Sequence, residues 1–279
     1  MHLAEPIVSS WKARLALDFA FQNEKTVLAG KSHDGPLVVQ KPLYPEGGEL
    51  CHAIVVHPPG GIAGGDELAL SATVGQKAAA LLTTPGAGKW YRSAGPQARQ
   101  RLAFDVGAGA CLEWLPQESI IFEGARATLE SEICLAPGAR YIGWEILCLG
   151  RTGSGERFTR GECNLRSRLR IGQRTVWLEQ GRIEAGGTRM HVRAGLGGHS
   201  VSATLIAAGA PVDDALLAAC RRLVPGTGRG AVTRLPELLV ARVLGDSSET
   251  AKRYFSQLWA LLRPRFTGRD AVEPRIWRT

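Results

Sequence analysis

From residue 35 to about 210 the chain reads as a succession of short strands, each ended by glycine, proline, asparagine or aspartate. This punctuation constrains the fold more than any other feature, because such runs are too short for helices and must find sheet partners. NLRSRLRI, residues 164–171, shows the pattern best. Leu165, Leu169 and Ile171 fall on one face, with Arg166, Arg168 and Arg170 on the other. That period-2 alternation predicts a half-buried strand with a charged outer face. Gly172-Gln173 follows as a tight turn with glycine first, leading into RTVWLEQ as the hairpin partner. PLVVQKP, CHAIVVH, ELALSATV, AAALLTT, RQRLAFDV, CLEWLPQESIIF, ATLESEICLA, ARYIGWEILCLG and HSVSATLIAAG read as further strands. Regular spacing without helical crossovers predicts antiparallel-rich sheets.

After about residue 210 the period changes. In PVDDALLAACRRLV, Leu216, Leu217, Cys220, Leu223 and Val224 recur at helical spacing after an acidic start. PELLVARVLG fits a helix with Pro236 in its first turn and Gly245 as its stop. DSSETAKRYFSQLWALLRP offers Asp246 as cap, Glu249 three residues on, and Pro264 as terminator. No repeat, low-complexity tract or linker interrupts the chain. The expectation is one mainly β, α+β domain over residues 1–279. Its body, 35–210, would stack antiparallel-rich sheets in a sandwich-like or β-helical manner; two or three helices would follow in 211–263, then a tail at 264–279.

A chain of 279 residues can bury about three-quarters of its unfolded surface. It therefore needs no staples, and Cys51, Cys111, Cys134, Cys148, Cys163 and Cys220, scattered without a CxxC pair, are expected as free thiols in a reducing compartment. No run of about 18 apolar residues exists, and MHLAEPIVSSWKARL lacks a basic start followed by an apolar block. Neither a membrane span nor a secretory leader is expected, which points to the cytoplasm. The net charge of +8 is compatible with nucleic acid, with an acidic protein partner or with a solvated surface. The basic residues are dispersed and only 6% of residues are aromatic, which argues against nucleic acid and favours acidic protein partners.

TTPGAGKWYRS, residues 83–93, has the glycines and lysine of a phosphate-binding loop. That loop requires GxxxxGK[ST] between a strand and a helix, but Thr83 and Trp90 stand where the first glycine and the final hydroxyl belong. A strand–turn–strand corner is the expectation. HPPGGIAGGD, residues 57–66, resembles an esterase oxyanion loop, yet no GxSxG nucleophile elbow accompanies it; it fits a wide loop or a binding surface equally well. Cys51, His52 and His57 are close in sequence, but Cys51 and His52 would point to opposite faces of a strand, so no closed zinc site is expected. The carboxylates carry more information. Asp66 and Glu67 follow the double glycine, and Glu145 sits in GWEILCLG, where an unpaired carboxylate is costly. Each could pair with an arginine, or several together could line an internal polar channel.

Taken in order, six blocks resemble the UreD (UreH) family of urease accessory proteins: QKPLYPEGGELCHAIVVHPPGGIAGGDEL at 40–68, TTPGAGKWYRS at 83–93, LEWLPQESIIFEGA at 112–125, GWEILCLGRTGSGERFTRG at 143–161, LLVARVLGDS at 238–247 and PRIWRT at 274–279. The resemblance covers nearly the whole chain. It departs at Gly88 and Trp90, where the family often shows threonine and phenylalanine, and it is weak over 187–235, so nothing is carried over from the histidines there. It implies stacked sheets with a few helices and a protein that is not an enzyme. It further implies a urease-maturation scaffold that binds apo-urease and UreF, meets the GTPase UreG through UreF, and passes nickel along an internal tunnel. GTP would sit only on the partner GTPase, nickel(II) would be bound only transiently, and the accessory complex would be a dimer.

Nickel(II) accepts oxygen and imidazole ligands, and a transfer path must hold it weakly at several points. Asp66, Glu67, Glu145, Glu179 and His57 are the candidate stepping ligands. Lys89, Tyr91, Arg92, Trp259, Arg263, Arg275 and Trp277 are the candidate partner contacts. The competing readings are a hydrolase or nucleotidase using the HPPGG and PGAGK loops, and a basic nucleic-acid-binding module. Partner-free GTP or ATP hydrolysis would mark the first, and steeply salt-dependent nucleic-acid affinity the second.

Overall fold

The computed structural model describes residues 10–278. Residues 1–9 and 279 lie outside the described residues, and with them most of the stretch inspected for a leader and the last residue of PRIWRT.

KARLALDFAFQ alternates so that Ala13, Leu15, Leu17 and Phe19 are buried, and it forms strand β1 (Lys12–Gln22). β2 (Lys25–Asp34) folds back on it antiparallel, and β3 (Val38–Val39) pairs antiparallel with β4 (Leu50–Val56). These two N-terminal strands precede the expected β body. From β4 the chain alternates between two facing sheets. β5 (Glu67–Val74), β8 (Ala98–Val106), β11 (Arg126–Leu135) and β13 (Glu162–Ile171) join β1 in the first, while β6 (Ala79–Thr83), β9 (Cys111–Trp114) and β12 (Arg140–Leu149) join β4 in the second. Two short strands, β7 (Gly88–Trp90) and β10 (Ser119–Ile121), pair beside β12.

Each strand returns to its own sheet one coil later and in the same direction. The ladders β1–β5–β8–β11–β13 and β4–β6–β9–β12 are therefore parallel, and the body is a β-solenoid of about four turns. The antiparallel pairing read from the sequence holds at the flanks only. A parallel pair needs a crossover connection, and here the strand of the opposite sheet supplies it in place of a helix. β14 (Arg174–Glu184) makes the expected hairpin with β13 and ends the first sheet. A short helix, α1 (Thr188–His191), follows. Then β15 (Val201–Ala208) extends the second sheet antiparallel to β12.

α2 (Asp214–Arg222) starts where expected: the Asp213 side chain accepts the Leu216 amide at 2.8 Å. PELLVARVLG, expected as a helix, is instead strand. β16 (Arg229–Leu235) and β17 (Leu238–Gly245) pair antiparallel and carry the second sheet outward from β15. β17 is apolar on both faces, Leu238 and Val240 toward the first sheet and Leu239, Ala241 and Val243 toward the helices. A strand covered on both faces has no period to distinguish it from a helix.

α3 (Ser248–Thr267) is capped by Ser247, whose hydroxyl accepts the Thr250 amide at 3.1 Å; Asp246, the expected cap, instead receives Ser200 and His199. Pro264 does not end it: the helix runs on to Thr267 and stops at Gly268 in the left-handed conformation (φ 73°). Ala251, Phe255, Leu258, Trp259, Leu262 and Phe266 press against the outer face of the second sheet. Two cores result, one between the sheets and one under the helices.

Candidate functional site: a polar cavity between two sheets

The packing between the sheets is incomplete. A cavity of about 380 Å³ lies there, walled by Leu70, Leu102, Phe104, Ile133 and Ile206 and entered between the loops that hold His57–Ile62 and Thr84–Lys89. Into this apolar space each sheet projects one polar row. On the first, Ser131, Ser167 and Glu179 are register neighbours across β11, β13 and β14, and the Ser131 hydroxyl bonds Ser167 at 3.0 Å. On the second, Glu145, Thr204 and Arg242 are register neighbours across β12, β15 and β17. Arg242 joins the rows at their half-exposed end, donating to Glu179 at 2.6 Å while its guanidinium lies 5.5 Å from the Trp177 ring centre.

Glu145 has no ion-pair partner among the described residues. Burial, reinforced by the Glu179 charge, pushes its carboxyl up to about 7. His57 lines the cavity mouth with its Nε2 buried and without a hydrogen-bond partner. Burial outweighs the attraction of Asp66 and lowers the imidazole's proton affinity, leaving the ring neutral with a free lone pair. Among the described residues no three His, Cys, Asp or Glu side chains converge as a closed metal site would require.

Three of the five candidate stepping residues, His57, Glu145 and Glu179, thus share one cavity. Asp66 and Glu67 do not line it. Asp66 is buried and its two carboxylate oxygens accept the amides of Trp11 and Ala63, each at 2.8 Å, which fixes the HPPGGIAGGD loop. Glu67 is exposed on the outer face of β5, in register with Lys12 and Arg99. Arg242, Ser131, Ser167 and Thr204 were not singled out from the sequence. Arg242 alone left a trace there, as a cation inside the apolar run LLVARVLG.

The partner candidates divide as well. Lys89, Tyr91 and Arg92 are exposed beside the cavity mouth, and Arg275 is exposed on the tail. Trp277 is half-buried: its indole donates to Thr83 Oγ1 at 2.8 Å and packs on Trp144 and Trp259. Trp259 and Arg263 have no exposed surface, so the expectation that they meet a partner is not met. Both turn inward because acids await them under α3. Arg263 donates to both Glu46 oxygens at 2.6 and 2.8 Å and to Glu113 at 3.1 Å, and the Trp259 indole donates to Glu113 at 2.6 Å. His52 Nε2 lies 2.9 Å from Glu46. Burial works to raise the Glu46 carboxyl, but His52 and Arg263 outweigh it and hold it at about 2.

The nucleotide-loop likeness ends in β7. Lys89 lies in that strand, paired in parallel with β10, and no helix follows it. A phosphate loop needs the N-terminus of a helix at that point.

A family model described as UreD urease accessory protein matches residues 12–278. The urease accessory protein UreD of Azoarcus sp. (strain BH72) is 52% identical, over 100% of this chain and 97% of its own. That of Dechloromonas aromatica (strain RCB) is 53% identical, over 97% and 95%. The Pseudomonas aeruginosa protein of the same description (strain PAO1) is 49% identical, over 97% and 96%.

Proposed function

Since the chain belongs to the UreD urease accessory protein family and is a non-catalytic component of urease maturation, we propose that its inter-sheet cavity carries nickel(II) toward apo-urease. The observation that carries this reading is the pair of facing polar rows, with Glu145 unpaired and poised near 7 inside apolar walls. A carboxyl at that point takes up a divalent cation by giving up its proton, and regains the proton when the cation leaves. Neutral His57 at the mouth offers an imidazole, and Glu179, already tied to Arg242, offers a weakened carboxylate. Ligands this dispersed bind a borderline cation without trapping it.

In this reading the chain works as a scaffold, with UreF and the urease apoprotein as direct partners and UreG reached through UreF, in a dimeric accessory complex. GTP stays on that GTPase, and no cofactor is held here permanently. The working form is a single domain in the cytoplasm. Six unpaired cysteines suit a reducing compartment, and among the described residues no helix is long and apolar enough to cross a membrane.

Glu145→Ala is expected to leave the complex with UreF and apo-urease assembled while lowering the nickel content of the urease it matures. Metal analysis of urease purified after co-expression measures this directly. Full nickel occupancy with the variant would remove Glu145 from the path.

A further inference from the structure

Two loops build the lip of the cavity on the side of the second sheet. Residues 84–89 run from β6 into β7, and residues 116–119 run from β9 into β10. They hold each other: the Gln117 amide donates to Thr84 Oγ1 at 2.9 Å, and the Gly88 amide donates to the Glu118 carbonyl at 2.8 Å. The tip of the first loop has room to move, because a Cβ on Gly86 would meet nothing within 4 Å. Behind this lip, on the helix side of the second sheet, runs the segment 269–278 that follows α3. Its start is anchored, with Arg269 Nη1 donating to the Glu46 carbonyl at 3.2 Å and Arg263 Nη1 reaching the Asp270 carbonyl at 2.5 Å.

Further along, Trp277 meets the stems of both loops. Its indole donates at 2.8 Å to the hydroxyl of Thr83, the last residue of β6 and the neighbour of the first loop. That hydroxyl donates at 2.6 Å to the carbonyl of Leu115, the neighbour of the second. The Trp277 ring packs 5.6 Å from Trp144, whose own indole donates to the Pro116 carbonyl at 2.8 Å. Lys252 of α3 lies 4.7 Å over the Trp277 ring and donates to the Gln117 side chain. One indole thus braces both stems from behind. Beside it a groove of about 610 Å³ opens between α3 and the segment, lined by Lys252, Ser256, Glu273 and Trp277 itself. Gln117 and Glu118 line both this groove and the cavity, and so form a partition between the two hollows. The groove gives the ring somewhere to go. Held by one hydrogen bond and by ring contacts, Trp277 can leave its seat without α3 unfolding.

We propose that residues 269–278 form a strap that sets the width of the cavity mouth. With Trp277 seated, both lip loops are fixed at their stems and the mouth is narrow. With Trp277 swung into the groove, Thr83 and Trp144 lose their brace and the loops spread. Trp277 lies outside the cavity lining, so its departure leaves His57, Glu145 and Glu179 in place. The strap acts on access and not on ligand chemistry, whatever the cavity carries. Its consequence for nickel(II), faster entry without tighter binding, rests on the nickel-path reading above.

The test compares the full wild-type chain with Trp277→Ala and Trp277→Phe by amide hydrogen exchange. Alanine should speed exchange across residues 84–89 and 116–119 by about tenfold or more, while the β13–β14 hairpin and the middle of α3 keep their wild-type rates. Phenylalanine keeps a ring but loses the donor to Thr83, so its lip should exchange at a rate between the two. Nickel(II) alone, added to the same chains, should enter the alanine variant faster with its dissociation constant unchanged. Wild-type exchange at the lip of Trp277→Ala would overturn the strap. So would acceleration spread evenly over β12, β15 and α3, which would make Trp277 a packing residue of the helix-side core and nothing more. Faster lip exchange with unchanged nickel(II) entry would uphold the strap and count against the nickel-path reading.

Discussion

Replacement of Arg263 by alanine is expected to destabilise the fold by about 3–5 kcal/mol, the typical cost of removing one partner from a buried ion pair. The guanidinium is fully buried and is shared by Glu46 and Glu113, which are themselves 5% and 0% exposed. Without it both acids stay under α3, with His52 and the Trp259 indole as the hydrogen-bond donors left to them. The helix also loses its tie to the Asp270 carbonyl, which Arg263 Nη1 reaches at 2.5 Å. Urea unfolding of wild type and variant gives the difference directly. Adding Glu113→Gln to Arg263→Met should recover part of the loss, because two neutral side chains leave one fewer buried charge without its partner. A loss below 1 kcal/mol for the single variant would mean that water reaches the acids. Acid sensitivity should change too. Glu46 is held at about 2, so its contribution is present above its ordinary 4.5 and lost as pH falls through 2. Without Arg263 that loss should begin at higher pH.

Glu145→Gln is expected to make the protein more stable at alkaline pH than the wild type. The Glu145 carboxyl is raised from 4.5 to about 7, so the folded state binds the proton more tightly than the unfolded chain does. Its favourable contribution is full below 4.5 and is lost as pH rises through 7. A shift of this size corresponds to about 3 kcal/mol across the window. Glutamine keeps the shape and cannot ionise. The variant-minus-wild-type difference in unfolding free energy should therefore climb between pH 5 and 8 and level off above. A flat difference would show that Glu145 ionises in the fold as it does in water. The same proton links to metal: nickel uptake by the wild-type chain should release protons most strongly below pH 7, and the glutamine variant should release fewer.

Much of the architecture was legible because some residues report their surroundings locally. Leu165, Leu169 and Ile171 alternate with arginines, and that strand and its Gly172 hairpin are where the pattern puts them. The acidic start and helical apolar spacing of PVDDALLAACRRLV announced α2. α3 lies where the capping pattern of DSSETAKRYFSQLWALLRP puts a helix, although its cap and stop are one to four residues off. Glu145 stood out as a carboxylate in an apolar run. What failed depended on partners distant in sequence. β17, covered on both faces, carried no period-2 signal. Parallel pairing is decided by the path between sheets, which no single segment records. Trp259 and Arg263 looked like contact residues near a terminus. Their partner Glu113 lies 150 positions from Arg263, and nothing near either residue hints at the pairing.

That long reach bears on how the chain is made. Arg263 closes on Glu46 across 217 positions. During synthesis at about 5–20 residues per second, Glu46 waits on the order of 10–40 s for its counter-charge. From the moment each emerges until α3 is made, Leu81, Ile142 and Leu205 have no helix to cover them, and the nascent solenoid presents a bare apolar sheet to the crowded cell. Coils can wind one after another as they emerge, but the last helix must be complete before the fold is sealed. A ribosome that stalls after the solenoid and before α3 would release a chain bound for aggregation or proteolysis.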